Sequence, residues 1–299
     1  MAHHQGAADR PDHHHGPGPT IDFGELTEHL ARGAQADRAW TAAEATLLVG
    51  SGAGVAVDVG CGAAGMARAL AAAGVVRVIA ADGSADVLAA AAALTDDQRV
   101  SFVHADLPDG LLALADAIRR TSPVGADVIW SAAAIHHVGD QQAAIDGLAS
   151  LLAPGGRLAI AEGGLGPRYL PTDVGLGESG LEDRLIAAHQ AWFHRMRAEL
   201  PASVPMPYSW AEALRRASLA DVTTRTTVLE RPLPLSDDDR AEVLRALSMR
   251  VEQNVEAGTL SDDDVAVWLR LLDPADDAWL GGRTDLGSLR AQSVHVGVR

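Results

Sequence analysis

The stretch VAVDVGCGAAGMARALAAAG, residues 55–74, decides the fold. Its first five residues are apolar except for Asp58, as in a strand buried on both faces of a parallel sheet. Gly60-Cys61-Gly62-Ala63-Ala64-Gly65 then satisfies G-x-G-x-x-G, and an Ala/Leu run opens a helix. A glycine loop between a strand and a helix lets the backbone approach a ligand closely, at a helix N-terminus. Outward from it the same alternation continues: VRVIAAD, ADVLAAAAAL, VSFVHAD, GLLALADAIRR, ADVIWSA, QAAIDGLASLLA, a Pro154-Gly155-Gly156 turn and RLAIAEG. Strands and helices taking turns predict right-handed βαβ units in an α/β, doubly wound, mostly parallel Rossmann-like sheet with helices on both faces.

Composition narrows the chemistry. The 299 residues include 24 Lys+Arg against 40 Asp+Glu, and every basic residue is arginine. The absence of lysine removes a Walker A lysine, a Schiff base and a lysine general base. A net charge of −16 with scattered arginines offers no phosphate-neutralising surface, so neither nucleic acid nor an anionic membrane is expected as a partner. The single Cys61 excludes an internal disulfide framework, and the lack of a signal core or long apolar run predicts a cytoplasmic protein.

Residues 1–20, rich in His, Gly and Pro, read as a disordered arm. Residues 21–299 read as one domain with its core at 50–165, 208–233 and 288–299. Helical insertions at 21–49, 166–207 and 234–287 are expected to form a cap or lid, or a homodimer surface. Two N-terminal helices should break near Gly33. After Glu162 a Gly/Pro-rich loop, GGLGPRYLPTDVGLGESG, should lead into a helix from about Leu181 to Leu200. SWAEALRRASL, DVTTRTTVLERP and the terminal SVHVGVR should return to the sheet as helix, strand and strand. Ser236 and Ser261, each followed by three aspartates, are expected N-caps whose acids offset the helix dipole.

Three aspartates fall at strand ends, where open α/β sheets bind ligands: Asp58, Asp82 and Asp106. Three carboxylates suit a pyrophosphate poorly and a cationic ligand well. Asp82 can accept from two ribose hydroxyls, Asp106 from an adenine amino group, and Asp58 from an ammonium. Here the residues resemble the class I S-adenosylmethionine (SAM) dependent methyltransferase family. VDVGCGAAG is similar to its first motif, IAADGS to its ribose-binding acidic motif and FVHADLP to its adenine-side acidic motif. DVIWSAAAIHHV and LLAPGGRLAI are similar to its fourth and fifth strands. The resemblance runs from about Val55 to Glu162, roughly half the chain.

The resemblance implies cofactor contacts at Asp58, Gly60, Cys61, Gly62, Asp82, Gly83, Asp106, Leu107 and Ser131. It places Trp130 to His137 beside the sulfonium. The family's amino-methylating Asn/Asp-Pro-Pro-aromatic motif is missing, and Ser131 ends the fourth strand where metal-dependent members carry acids, so no metal is expected. His136 or His137 could be a general base, with loop packing as the competing role. Trp130, Glu162, Arg168, Tyr169, Trp192 and Phe193 are candidates for the acceptor site, with Tyr208 and Trp210 nearby. The expected acceptor is a small apolar or aromatic molecule, methylated at oxygen or carbon, as in secondary-metabolite tailoring. A nicotinamide oxidoreductase, or a SAM-binding protein that does not methylate, stands as the alternative.

Overall fold

The computed structural model describes residues 27–50 and 52–299. The expected N-terminal arm and its histidines lie outside them. Helices α1 (Thr27–Ala36) and α2 (Arg38–Val49) precede β1 (Val55–Val59), α3 (Gly65–Ala72), β2 (Arg77–Asp82), α4 (Ala85–Ala93), β3 (Val100–His104), α5 (Leu111–Thr121) and β4 (Ala126–Ala132). A 3-10 turn at Ile135–His137 leads to α6 (Gln141–Ser150), β5 (Leu152–Arg168), α7 (Leu181–Glu199), α8 (Trp210–Arg216), β6 (Ala220–Glu230), α9 (Asp237–Glu256), α10 (Asp262–Leu272) and β7 (Leu289–Val298).

The seven strands form one sheet in the order β3-β2-β1-β4-β5-β7-β6. The first five are parallel, and β7 runs antiparallel to both β5 and β6. Chain order reverses between β1 and β4, the switch point where a ligand crevice opens at the strand C-termini.

Period-two alternation sends side chains to two layers. Ala56, Val128 and Trp130 pack with Leu48 of α2, Leu70 of α3 and Leu88 of α4 on one face. Val57, Ile129 and Ile160 pack with Leu114 of α5, Leu148 of α6 and Leu214 of α8 on the other. A third core joins α7, α9 and α10 through Leu185, Leu247 and Trp268. α2 belongs to the first of these cores, although the sequence groups residues 21–49 with the inserted helices.

Two local expectations change and a third gains detail. The N-terminal helices part at Asp37, and Gly33 stays inside α1. β5 does not end at Glu162: after a register shift Gly164 pairs with Gln292, Leu165 with Ala291 and Arg168 with Leu289. The glycines there that suggest a loop allow this, since a Cβ on Gly164 would lie 2.1 Å from the Ala291 carbonyl oxygen. Finally, Ser236 and Ser261 do cap α9 and α10, accepting from the Asp239 and Asp264 amides. The third aspartate of each run also takes an arginine, Arg231 on Asp239 and Arg184 on Asp264.

Candidate functional site

The glycine loop leaves β1 with Gly60 at φ 65° and Gly62 at φ 50°, and Ala64 at φ 54° starts α3. Gly60 admits no side chain, because a Cβ there would sit 2.4 Å from the Cβ of Ala134. The loop therefore touches the segment after β4, and the two strand ends form one cleft floor.

The carboxylates are arranged around it. Asp58 is 2% exposed and accepts the Ala67 amide at 2.9 Å, within the first turn of α3. Burial pushes its carboxyl up to about 7, against the lowering effect of that amide, and Asp82 adds repulsion. Asp82 accepts the amides of Gly62 and Ser84, both at 3.0 Å, and so ties the glycine loop to the start of α4. Its carboxyl is raised, chiefly by burial. The carboxylate keeps acceptor capacity for a ligand hydroxyl. Asp106 is exposed beside Gly83, where a Cβ would lie 2.9 Å from Oδ1 of Asp106. Leu107 packs half-buried against the second core, and Cys61 is buried with its thiol pushed up by desolvation. Ser131 is fully buried at the end of β4, with no partner for its hydroxyl among the described residues.

At the other side of the cleft the 3-10 turn is clamped twice. Glu162, 4% exposed, accepts the Ala134 amide at 3.0 Å and the His136 amide at 3.4 Å, and its Oε2 lies 2.7 Å from Nδ1 of His136. From α7, Arg197 donates to the carbonyls of His136 at 2.9 Å, Gly139 at 3.3 Å, and Val138. The rings of His136 and His137 are 4.1 Å apart, and Phe193 meets His136 edge-on at 5.3 Å. The His137 imidazole is driven down to about 3, first by desolvation and then by the charges of His136 and Arg197. Ala133, at φ 48°, holds the strained turn into this segment. Glu162 and Arg197 are the positioning residues that sequence reasoning missed or misassigned. Nothing local marks them, since each acts on residues 26 or more positions away.

A cavity of about 1400 Å³ lies next to this cleft, bounded by α1, α2, α7, α9 and the outer end of the sheet. Tyr169, Trp192, Trp40 and Met196 line it. Other expected acceptor residues lie elsewhere. Trp130 is sealed in the first core against Trp40, with ring centroids 5.9 Å apart, because its place in β4 points it away from the mouth. Arg168 is half-exposed and bound to Asp183 outside the cavity. Tyr208 and Trp210 pack on the opposite sheet face. Phe193 faces His136 and Glu162 holds the turn, so neither lines the cavity.

Helix α1 is the wall shared by cleft and cavity. Leu30 lies 3.8 Å from a Cβ built on Gly62, and the Ala34 methyl 3.1 Å from one on Gly65. His29, Gly33 and Ala36 of the same helix line the cavity.

Residues 57–158 match the family profile described as "Methyltransferase domain". The chain therefore carries a SAM-dependent methyltransferase domain over about a third of its length. The glycine loop and the acids at its rim are the parts of this domain that fit SAM, its cofactor. The oxidoreductase alternative falls with this assignment. No curated protein matches. Among solved structures, a chain from the Haloferax volcanii complex of the Trm112 methyltransferase activator with a proposed methyltransferase is 18% identical; the match covers 93% of this chain and 97% of that one at a TM-score of 0.50. Haemonchus contortus phosphoethanolamine N-methyltransferase 2, solved with phosphomonomethylethanolamine and S-adenosylhomocysteine, is 17% identical over 93% of this chain and 59% of its own, at 0.47. At these identities the first likeness speaks for the fold alone. Among the described residues no cluster of His, Cys, Asp or Glu could hold a metal ion, and no helix is long and apolar enough to cross a membrane.

Proposed function

We propose that this methyltransferase acts on a small molecule held in the cavity beside α1, and that residues 21–299 work as one domain for that purpose. The observation that carries the reading is the shared wall: one face of α1 meets the glycine loop, and another lines a cavity large enough for a drug-sized molecule. Trp40, Trp192 and Met196 supply an apolar surface. The acceptor class this favours is a partly aromatic metabolite methylated at oxygen or carbon, as in secondary-metabolite tailoring.

SAM, when bound, supplies an electrophilic methyl group on sulfur. Asp58, Asp82 and the amides of the glycine loop would hold and orient it, with Asp106, Gly83 and Leu107 around its adenosyl end and Ser131 on the side of the sulfur. Methyl transfer is an in-line displacement, so alignment and exclusion of water carry most of the catalysis. Where the acceptor must lose a proton, His136 is the better base. Glu162 beside Nδ1 fixes the tautomer with the proton on that nitrogen, which leaves Nε2 free to accept. His137, with its imidazole at about 3, is the weaker base at neutral pH.

The test is turnover with methyl-labelled SAM on phenolic and carbon-acid metabolites beside peptides and RNA. Label in the small molecules is the expected result; label in peptide or RNA alone would reject the reading.

A further inference from the structure

Among the described residues, the cavity wall carries one half-buried charge that no carboxylate meets. Of the four arginines that line it, Arg231 is paired with Asp239 and Arg290 with Asp37. Arg195 is exposed at the rim and reaches the Ala257 carbonyl at 3.5 Å. Arg250, half-buried on α9, has no ion pair and no side-chain hydrogen bond among the described residues. The buried Glu182 carboxylate senses its charge, but its oxygens already accept the amides of Tyr169 at 2.9 Å and Leu170 at 3.1 Å. Two further groups that sense it are neutral near pH 7. Burial keeps the Tyr169 phenol protonated, and the His189 imidazole is held down to about 4 while stacking on Trp192 at 5.3 Å.

A half-desolvated guanidinium without a counterion is costly to keep, and its planar fork matches a carboxylate or phosphate. We propose that Arg250 anchors an oxyanion group, carboxylate or phosphate, on the methyl acceptor, whose apolar body lies against Trp192 and Met196. This rests on the reading of the cavity as the acceptor site. The Tyr169 hydroxyl is a second donor within the same wall. Exposed acids at the rim, among them Glu252 and Glu256, repel small free anions, so the site requires both the anionic head and the apolar body.

The test compares 2-naphthoate, 2-naphthyl phosphate and 2-naphthamide by calorimetry on the full chain saturated with S-adenosylhomocysteine. At least one anion should bind ~10-fold or more tightly than the amide, from the usual strength of a charge-assisted pair. Which anion wins distinguishes carboxylate from phosphate. Arg250→Gln should erase the preference and leave amide and S-adenosylhomocysteine binding unchanged, while Arg195→Gln keeps the preference. Arg250→Met, which retains the packed stem, is the second variant should the first fold poorly. Equal affinity for all three probes, no binding by any, or a preference that survives loss of Arg250 overturns the proposal. Gly33→Trp separates the two claims, since a Cβ at Gly33 meets nothing within 4 Å and the indole would fill the cavity. Amide binding that survives Gly33→Trp would defeat the cavity reading itself.

Discussion

Lowering the pH from 8 to 6 should weaken cofactor binding through Asp58. With its carboxyl at about 7, this group is mostly ionised at pH 8 and mostly protonated at pH 6. The cofactor brings cationic groups to a carboxylate, so it binds the ionised form, and the protonated form must first lose its proton. The ionised fraction falls from roughly nine tenths to one tenth, which corresponds to a ~10-fold loss of affinity, about 1.4 kcal/mol. The apo protein should respond in the opposite sense. A carboxyl whose folded value lies above its unfolded one binds protons more tightly when folded, so its contribution to stability falls as pH rises from about 4 through 7. Calorimetric titration with S-adenosylhomocysteine at both pH values, in two buffers of different ionisation enthalpy, reads both affinity and proton release. Asp58→Asn should bind with a flat profile, and comparison with it cancels any titration of the ligand itself. An unchanged Kd across the range, or an Asn variant with the original slope, would refute the assignment of Asp58 as the cation's partner.

Further outcomes are expected. Gly60→Ala should lower Tm and abolish saturable S-adenosylhomocysteine binding, because its methyl would overlap Ala134 at a backbone φ of 65°; binding at wild-type affinity would show that the loop can shift. His136→Ala should slow transfer to a protonated acceptor ~100-fold or more, whereas His137→Ala should cost less than ~10-fold. The reverse order would assign the base to His137. Glu162→Gln keeps a carbonyl for the Ala134 amide and removes the charge behind His136, so kcat should fall and its pH profile shift while the KM for SAM holds. Arg184→Ala should destabilise the folded chain by ~1–3 kcal/mol at pH 7 by stranding Asp264. Because Arg184 lowers the Asp264 carboxyl, that loss should shrink as the pH falls through the carboxylate range, which acid titration of Tm checks.

The alternation from Val55 to Glu162, the glycine loop and the three strand-end aspartates were all legible because each rests on local pattern: period two, period 3.6 and backbone freedom. What escaped depended on partners distant in sequence. Gly163 to Arg168 lacks strand propensity and becomes a strand only because β7 returns from the far end of the chain to pair with it. Trp130 is an acceptor-site candidate in the sequence, yet side-chain alternation in β4 turns it into the core with Val128. Glu162 is an acceptor-site candidate in the sequence, and only the fold shows both oxygens spent on a turn 26 residues earlier. The cavity depends on α9, whose apolar face gives no sign in sequence of which helix it meets.

The position of α1 would couple a cofactor in the cleft to an acceptor in the cavity. The helix buries none of its residues fully, yet Leu30 and Ala34 lie over the glycine loop while His29 and Gly33 border the cavity. An element held by so few contacts is among those that open most readily. Occupants on its two sides draw on the same ordering free energy, so whichever binds first changes the cost to the second, by one factor that is the same in both directions. Cofactor exchange and acceptor release would then be linked events, with a kinetic order set by a single helix rather than by the chemistry of transfer.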